Sequence, residues 1–234
     1  MKKKLSTAGI DPPLPGSRRP VKTIFAAMEM KGIRNIIFDF GGVFIEVDYF
    51  KTEKAFVDAG IGSFHDLYSQ QSASPLFEEL ETGKIGVPQF MSQLRSLSRV
   101  QLTDEQIIGC WNSMLGKFYP EAIEKARELK PKYRLFLFSN TNRIHHQQFM
   151  EIYHRQFGRD DFESLFEKVY YSHTCGVRKP HPDAYRWVLS DAGIRADETL
   201  FIDDTLVNIK GAEQVGLRCV FLDKGKKLWN LELG

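Results

Sequence analysis

The sequence predicts an α/β fold: a parallel sheet with flanking helices, and a helical unit inserted after the first strand. Three observations carry this. Short apolar runs at 36–38, 133–138, 168–171, 200–202 and 218–222 each have the length and apolar content of a buried strand. Stretches with helical apolar spacing separate them from 120 onward, and strands alternating with helices argue for parallel pairing through right-handed crossovers. Between the first run and the second, residues 46–117 show helical spacing and no clear buried-strand run.

Length and composition set the bounds. The chain has 234 residues, with 42% hydrophobic and 26% charged residues, which is ordinary for a globular protein of one large domain or a core with an insertion. Its net charge of +2 gives no general pull toward nucleic acid or a membrane surface, and the expectation is a monomer or homodimer with neither as partner. No apolar run approaches the ~20 residues that span a bilayer. Cys110, Cys175 and Cys219 lie far apart in no metal-binding spacing, which reads as buried thiols in a reducing, cytoplasmic setting.

In chain order, residues 1–31 read as a flexible tail. Lys2, Lys3, Lys4, Arg18, Arg19 and Lys22 are interleaved with Pro12, Pro13, Pro15 and Pro20, and no apolar stretch follows that would make a secretory signal. A natural start at Met28 or Met30 would leave a compact beginning. The run Ile36, Ile37, Phe38 ends in Asp39 and a Gly-Gly turn, so the acid lies at the carboxyl edge of the sheet, where open α/β folds bind ligands. Gly41 and Gly42 let the backbone approach a ligand or adopt positive φ. In 46–117 the helical spacing is carried by Ala55, Phe56 and Ala59; Leu76, Phe77 and Leu80; Phe90, Leu94 and Leu97; and Ile107, Ile108, Trp111 and Leu115. Thr103 with Gln106 reads as a capping box, and Pro88 suits a first helical turn. Helices are expected at 120–129, 143–157, 182–192 and 208–215.

Four polar features fall at or just beyond strand ends: Asp39, Ser139-Asn140, Lys179 and Asp203-Asp204. Meeting at one edge, they fit phosphoryl transfer through a carboxylate nucleophile. Asp39 would attack phosphorus. Its neighbourhood with Asp203-Asp204 implies a bound cation, Mg²⁺, because adjacent carboxylates repel without one. Ser139 would donate to phosphoryl oxygens, and Lys179 would supply fixed positive charge.

With these residues in view, the chain resembles the haloacid dehalogenase superfamily: the first motif in FDFGGV, the second in LFSNTN, the third in the lysine of GVRKPHPDAY, and the fourth in FIDDTLVN. The resemblance runs from about 34 to 222. It implies a Rossmann-like core at 32–47 and 118–234 and a helical cap at 48–117. It further implies Asp39 as nucleophile; Gly42, Ser139, Asn140 and Lys179 around the substrate; and Asp39, the Gly41 carbonyl, Asp203 and Asp204 around Mg²⁺. Most phosphatases of this superfamily carry a second acid two residues after the nucleophile, where this chain has Gly41. Such a group is worth about 10²–10⁴-fold in rate. Either the leaving group needs little protonation or another residue substitutes, with Glu46, Asp48 and His145 as candidates and His146 beside them. The first and second motifs are similar to the branch containing bacterial glucose-1-phosphate phosphatases, which implies a small sugar phosphate as substrate. Phe77, Glu78, Glu81 and Trp111 are cap residues that could face the site, although apolar residues such as Phe77 and Trp111 more often belong to the cap core. Superfamily dehalogenases also lack the second acid but carry no acidic pair in the fourth motif. A catalytically weak phosphate-binding protein is the non-enzymatic alternative. Phosphorylated receiver domains, with their early acidic pair and no cap, do not fit.

Overall fold

A computed structural model describes residues 30–233 apart from 63, 71, 72, 99 and 224. The expected tail, with Met28, lies outside the described residues except at its end.

The elements run as follows. β1 (Asn35–Phe38) is followed by β2 (Ile45–Val47) and by helices α1 (Tyr49–Asp58), α2 (Phe64–Leu67), α3 (Pro75–Glu81), α4 (Val87–Ser96) and α5 (Asp104–Asn112). β3 (Leu115–Phe118) leads into α6 (Pro120–Leu129), β4 (Arg134–Ser139), α7 (Arg143–Phe157), β5 (Lys168–Tyr171), α8 (Ser172–Cys175), α9 (Pro182–Ala192), β6 (Thr199–Asp203), α10 (Leu206–Glu213) and β7 (Arg218–Phe221). The main sheet has the order β5-β4-β1-β6-β7 and is parallel throughout. β1 is central because it is buried on both faces, which a four-residue apolar strand requires. Ile36 and Phe38 pack toward α6 and α7, while Ile37, Phe136, Phe138 and Phe201 pack toward α9 and α10. The chain winds from β1 outward through β4 and β5, then returns across β1 to β6 and β7. The strand order therefore reverses between β1 and β6, the place where such sheets form a crevice.

Helices α1–α5 have their own core, in which Phe56, Phe64, Phe77, Phe90 and Trp111 are fully buried. Phe56 stacks on Phe64 with centroids 4.3 Å apart. The Thr103–Gln106 capping box forms in both directions, and Pro88 lies in the first turn of α4.

Two expectations need correction here. The segment 46–117 is not purely helical: β2 and β3 pair antiparallel where the chain leaves the core and where it returns. Strands of three and four residues containing Glu46, Gly116 and Lys117 are too short to show an alternating pattern. Leu115, read as the last turn of a helix, belongs to β3; α5 ends at Asn112. The thiols of Cys110, Cys175 and Cys219 are free but only partly buried. Among the described residues no helix is long and apolar enough to cross a membrane.

Candidate active site

Register brings the acids together. Phe38 is level with Ile202, so the residues that follow, Asp39 and Asp203, leave adjacent strand ends, tied by the Asp39 N–H donating to the Ile202 carbonyl at 2.8 Å. Carboxylate oxygens of Asp39, Asp203 and Asp204 lie within 4.8 Å of one another. Lys179 is the cation among them. Its Nζ donates to Asp39 Oδ1 at 2.6 Å and to Asp203 Oδ2 at 2.8 Å, and the side chain is 1% exposed. The ammonium also lies over the rings of Phe138 and Phe201, 5.5 Å from each centroid. Burial alone would lower this ammonium, but the charges of Asp203 and Asp39 outweigh it and hold it above its usual value.

The carboxylates differ in availability. Asp203 is fully buried and its oxygens accept from Lys179, from the Thr205 N–H and twice from Asn208 Nδ2. It holds Lys179 from behind and does not line the cavity. Asp39 and Asp204 do. Among the described residues, Asp39 Oδ2 has no hydrogen-bond partner, which leaves an unencumbered carboxylate oxygen beside a fixed cation. Burial pushes the Asp203 and Asp204 carboxyls up, and the charge of Asp39 pushes them further. These carboxylates would be relieved by a cation.

Ser139, the last residue of β4, also lines the cavity. Asn140, expected to contact substrate, has its side chain turned to another task. Its Nδ2 donates to the Lys179 carbonyl at 2.9 Å and its Oδ1 accepts the Lys179 N–H at 3.0 Å, which fixes the lysine backbone. Gly42 is not in the cavity wall, and its backbone packs closely against Asp204. It has φ +68°, and a Cβ there would collide with the Asp204 carboxylate. Gly42→Ala is expected to displace Asp204 and to cost about 1–3 kcal/mol from the backbone alone, read as a lowered thermal midpoint. Gly41 is in the cavity wall.

The cavity measures about 180 Å³ and has a second wall from α1, the loop after α2, and α3: Tyr49, Tyr68, Gln70 and Glu81. Gln70 Nε2 donates to Thr205 Oγ1 at 3.2 Å and to Asp204 Oδ2 at 3.4 Å, closing this wall on the sheet edge. Arg178 is paired directly with Glu81 in the cavity wall, its Nε donating to Glu81 Oε2 at 2.6 Å. Of the four cap residues named from the sequence, Glu81 alone lines the cavity. Phe77 and Trp111 are in the cap core, and Glu78 pairs with His181 at 3.6 Å. Tyr49, Tyr68, Gln70 and Arg178 were not anticipated. The one signal for any of them is that Arg178 directly precedes Lys179.

No proposed substitute for an acid at Gly41 sits in the cavity as an acid. Glu46 is not in the wall, and its carboxylate lies against Gly116 in β3. Asp48 caps α1, accepting from the Phe50 N–H at 3.1 Å. His146 Nε2 faces Glu163 at 3.2 Å, outside the wall. His145 does line the cavity, stacked on Trp111 with Nδ1 2.9 Å from Asn112 Oδ1, but burial pushes its imidazole down to about 3, so it is neutral. Tyr49 is another titratable group in the cavity wall. Burial, then the charges of Asp204 and Asp39, raise its phenol, which stays a hydrogen-bond donor.

Comparison with known proteins places this geometry. The chain is 28% identical over 201 residues to a D-ribitol-5-phosphate phosphatase of Bacteroides thetaiotaomicron, covering 86% of this chain and 97% of that one. It is 29% identical over 184 residues to a sesquiterpene phosphatase of Aspergillus oryzae, covering 77% and 85%. Among solved structures, a HAD family enzyme of Bacteroides thetaiotaomicron in complex with magnesium and inorganic phosphate superposes with a TM-score of 0.73 at 31% identity, over 82% of this chain and 96% of that one. The model of the haloacid dehalogenase-like hydrolases matches residues 33–216, the span that holds Asp39, Ser139, Lys179 and the acidic pair, and this chain belongs to that family.

Proposed function

We propose that the protein is a Mg²⁺-dependent phosphatase that hydrolyses a small phosphorylated metabolite, a sugar phosphate, through an aspartyl-phosphate on Asp39. The observation that carries this is Asp39 itself: one oxygen held by Lys179, the other free and facing the cavity beside Asp204. The donor set fits a hard dication. Asp39, Asp203 and Asp204 bring three negative charges against the one positive charge of Lys179, and buried carboxylates so close together need the balance. Asp39, Asp204 and the Gly41 carbonyl would hold the ion, with Asp203 behind them, bound to Lys179 and adding its charge to the group. When bound, Mg²⁺ neutralises phosphoryl oxygens and aligns them for displacement.

Asp39 Oδ2 attacks phosphorus, and the bond from phosphorus to the organic oxygen breaks. That oxygen leaves with the electron pair and takes a proton from water, a proton that the attacking water of the next step gives back. Water then attacks the phosphorus of the aspartyl-phosphate, releasing inorganic phosphate and restoring Asp39. Lys179 holds and orients Asp39 through Oδ1, and Ser139 donates to a phosphoryl oxygen. In this reading residues 48–117 are a lid that excludes water, with Gln70 closing it on Asp204. The setting is cytoplasmic, which suits three unpaired cysteines.

Two relatives named for phosphatase activity, and a related structure holding magnesium and phosphate, support the reading. A dehalogenase would have no use for the acidic pair. The test is phosphate release from a panel of sugar and acyl phosphates with Mg²⁺ and with EDTA. Release that stops in EDTA and returns with Mg²⁺ is expected, together with a rise in thermal midpoint on adding Mg²⁺ to the stripped protein. Chloride release from a 2-haloacid in EDTA, without phosphate release, would move the assignment to a dehalogenase.

A further inference from the structure

The cavity wall opposite the carboxylates contains one ion pair. Arg178 Nε donates to Glu81 Oε2 at 2.6 Å, and the Tyr68 hydroxyl donates to Glu81 Oε1 at 2.8 Å. The Glu81 side chain is 1% exposed and that of Arg178 15%. Arg178 Nη1 donates to the Lys179 carbonyl at 3.3 Å, and among the described residues Nη2 has no partner. All three side chains line the cavity that holds Asp39 and Asp204. Glu81 ends α3 in the cap, whereas Arg178 directly precedes the lysine that grips Asp39. A phosphoryl group against Asp39 therefore extends its organic part toward this group.

An unpaired arginine at that place would select a second anionic group, because a guanidinium fork matches carboxylate and phosphate. Here Glu81 cancels the charge before any ligand arrives. What remains is a rigid set of donors and acceptors with no net charge, beside the neutral Tyr49 and Gln70. Such a surface pairs with hydroxyls, and leaves a second carboxylate facing Glu81 without compensation.

The geometry points to Glu81, Arg178 and Tyr68 as the specificity-determining group of the leaving-group subsite. They accept a neutral, polyhydroxylated organic moiety, as in a sugar or sugar-alcohol monophosphate, and reject one that carries a second negative charge. This rests on the phosphatase reading of Asp39.

The experiment compares kcat/KM for mannitol phosphate and phosphoglycolate in wild type, Glu81→Gln, Tyr68→Phe and the double variant Glu81→Gln with Arg178→Gln, all with Mg²⁺. Wild type is expected to prefer mannitol phosphate. Glu81→Gln uncovers the guanidinium and shifts the ratio toward phosphoglycolate by about tenfold or more. Tyr68→Phe raises KM for mannitol phosphate more than it lowers kcat. The double variant buries no lone charge, so it tests the idea even where Glu81→Gln folds poorly. It is expected to lose much of the efficiency on mannitol phosphate while phosphoglycolate stays poor. A wild type that favours phosphoglycolate, or a ratio the same in all four folded proteins, overturns the inference. A wild type that releases no phosphate from either compound, nor from p-nitrophenyl phosphate, overturns the phosphatase reading on which it rests.

Discussion

Asp39→Asn is expected to give a folded protein whose phosphate release is lower by about 10⁴-fold or more, the scale seen when a nucleophile is removed. The amide keeps an oxygen for the Lys179 ammonium, now 2.6 Å from Asp39, so the lysine stays seated with Asp203 still 2.8 Å away. What disappears is the carboxylate oxygen proposed to attack phosphorus. The charge of Asp39 is among the causes that push Asp203 and Asp204 up, so the substitution also relieves repulsion. Without Mg²⁺ the variant should therefore unfold at the wild-type midpoint or above it, while its gain in midpoint on adding Mg²⁺ shrinks. Phosphate release and a thermal scan with and without EDTA read both effects. Undiminished turnover would remove Asp39 from the chemistry.

Lys179→Met should be damaging in a different way. The lysine is 1% exposed and serves two carboxylates, of which Asp203 has no exposure at all. Deleting one partner of a buried ionic group leaves the others uncompensated and costs about 3–5 kcal/mol. For a chain of this size that corresponds to a fall in midpoint of about 10 °C. Turnover should fall about 10²–10³-fold, the usual effect of losing one preorganised charge partner. Added Mg²⁺ should recover part of the stability and little of the rate, since the ion balances charge but does not replace the ammonium that holds Asp39 Oδ1. Denaturation by urea in EDTA, followed by the same measurement in Mg²⁺, separates the two. A midpoint equal to wild type in EDTA would mean that the carboxylates are not charged as their pairing implies.

The five core strands and the helices α6, α7 and α9 were legible in the sequence because each has a local cause. Buried parallel strands are continuous apolar runs, and Pro120, Pro182 and Gly193 mark helix ends. Asp39, Ser139 and Asp204 were legible for the same reason, each ending or following such a run, and Lys179 joined them through its motif. The ion pair of Glu81 and Arg178 was not, since its partners are 97 residues apart and neither stands in a pattern that announces the other. Asn140 shows a subtler limit: its place at the strand end was readable, but the double hydrogen bond that commits its side chain to the Lys179 backbone depends on where two loops meet. The β2–β3 pair escaped because seven residues with a glycine and a lysine among them carry too little periodicity.

That pair has a consequence for how the molecule can be rebuilt. The outgoing and returning chains are hydrogen-bonded neighbours, with Ile45 opposite Phe118 and Val47 opposite Leu115. Paired strands are about 5 Å apart, a gap that a two-residue turn closes. The helices between them thus leave and rejoin the chain of the core at one place, and a graft made there need not disturb the strand order of the main sheet. A chimera taking residues 48–114 from a relative of different specificity would keep Asp39, Lys179 and Asp204 on their own scaffold and exchange Tyr49, Tyr68, Gln70 and Glu81 as one package.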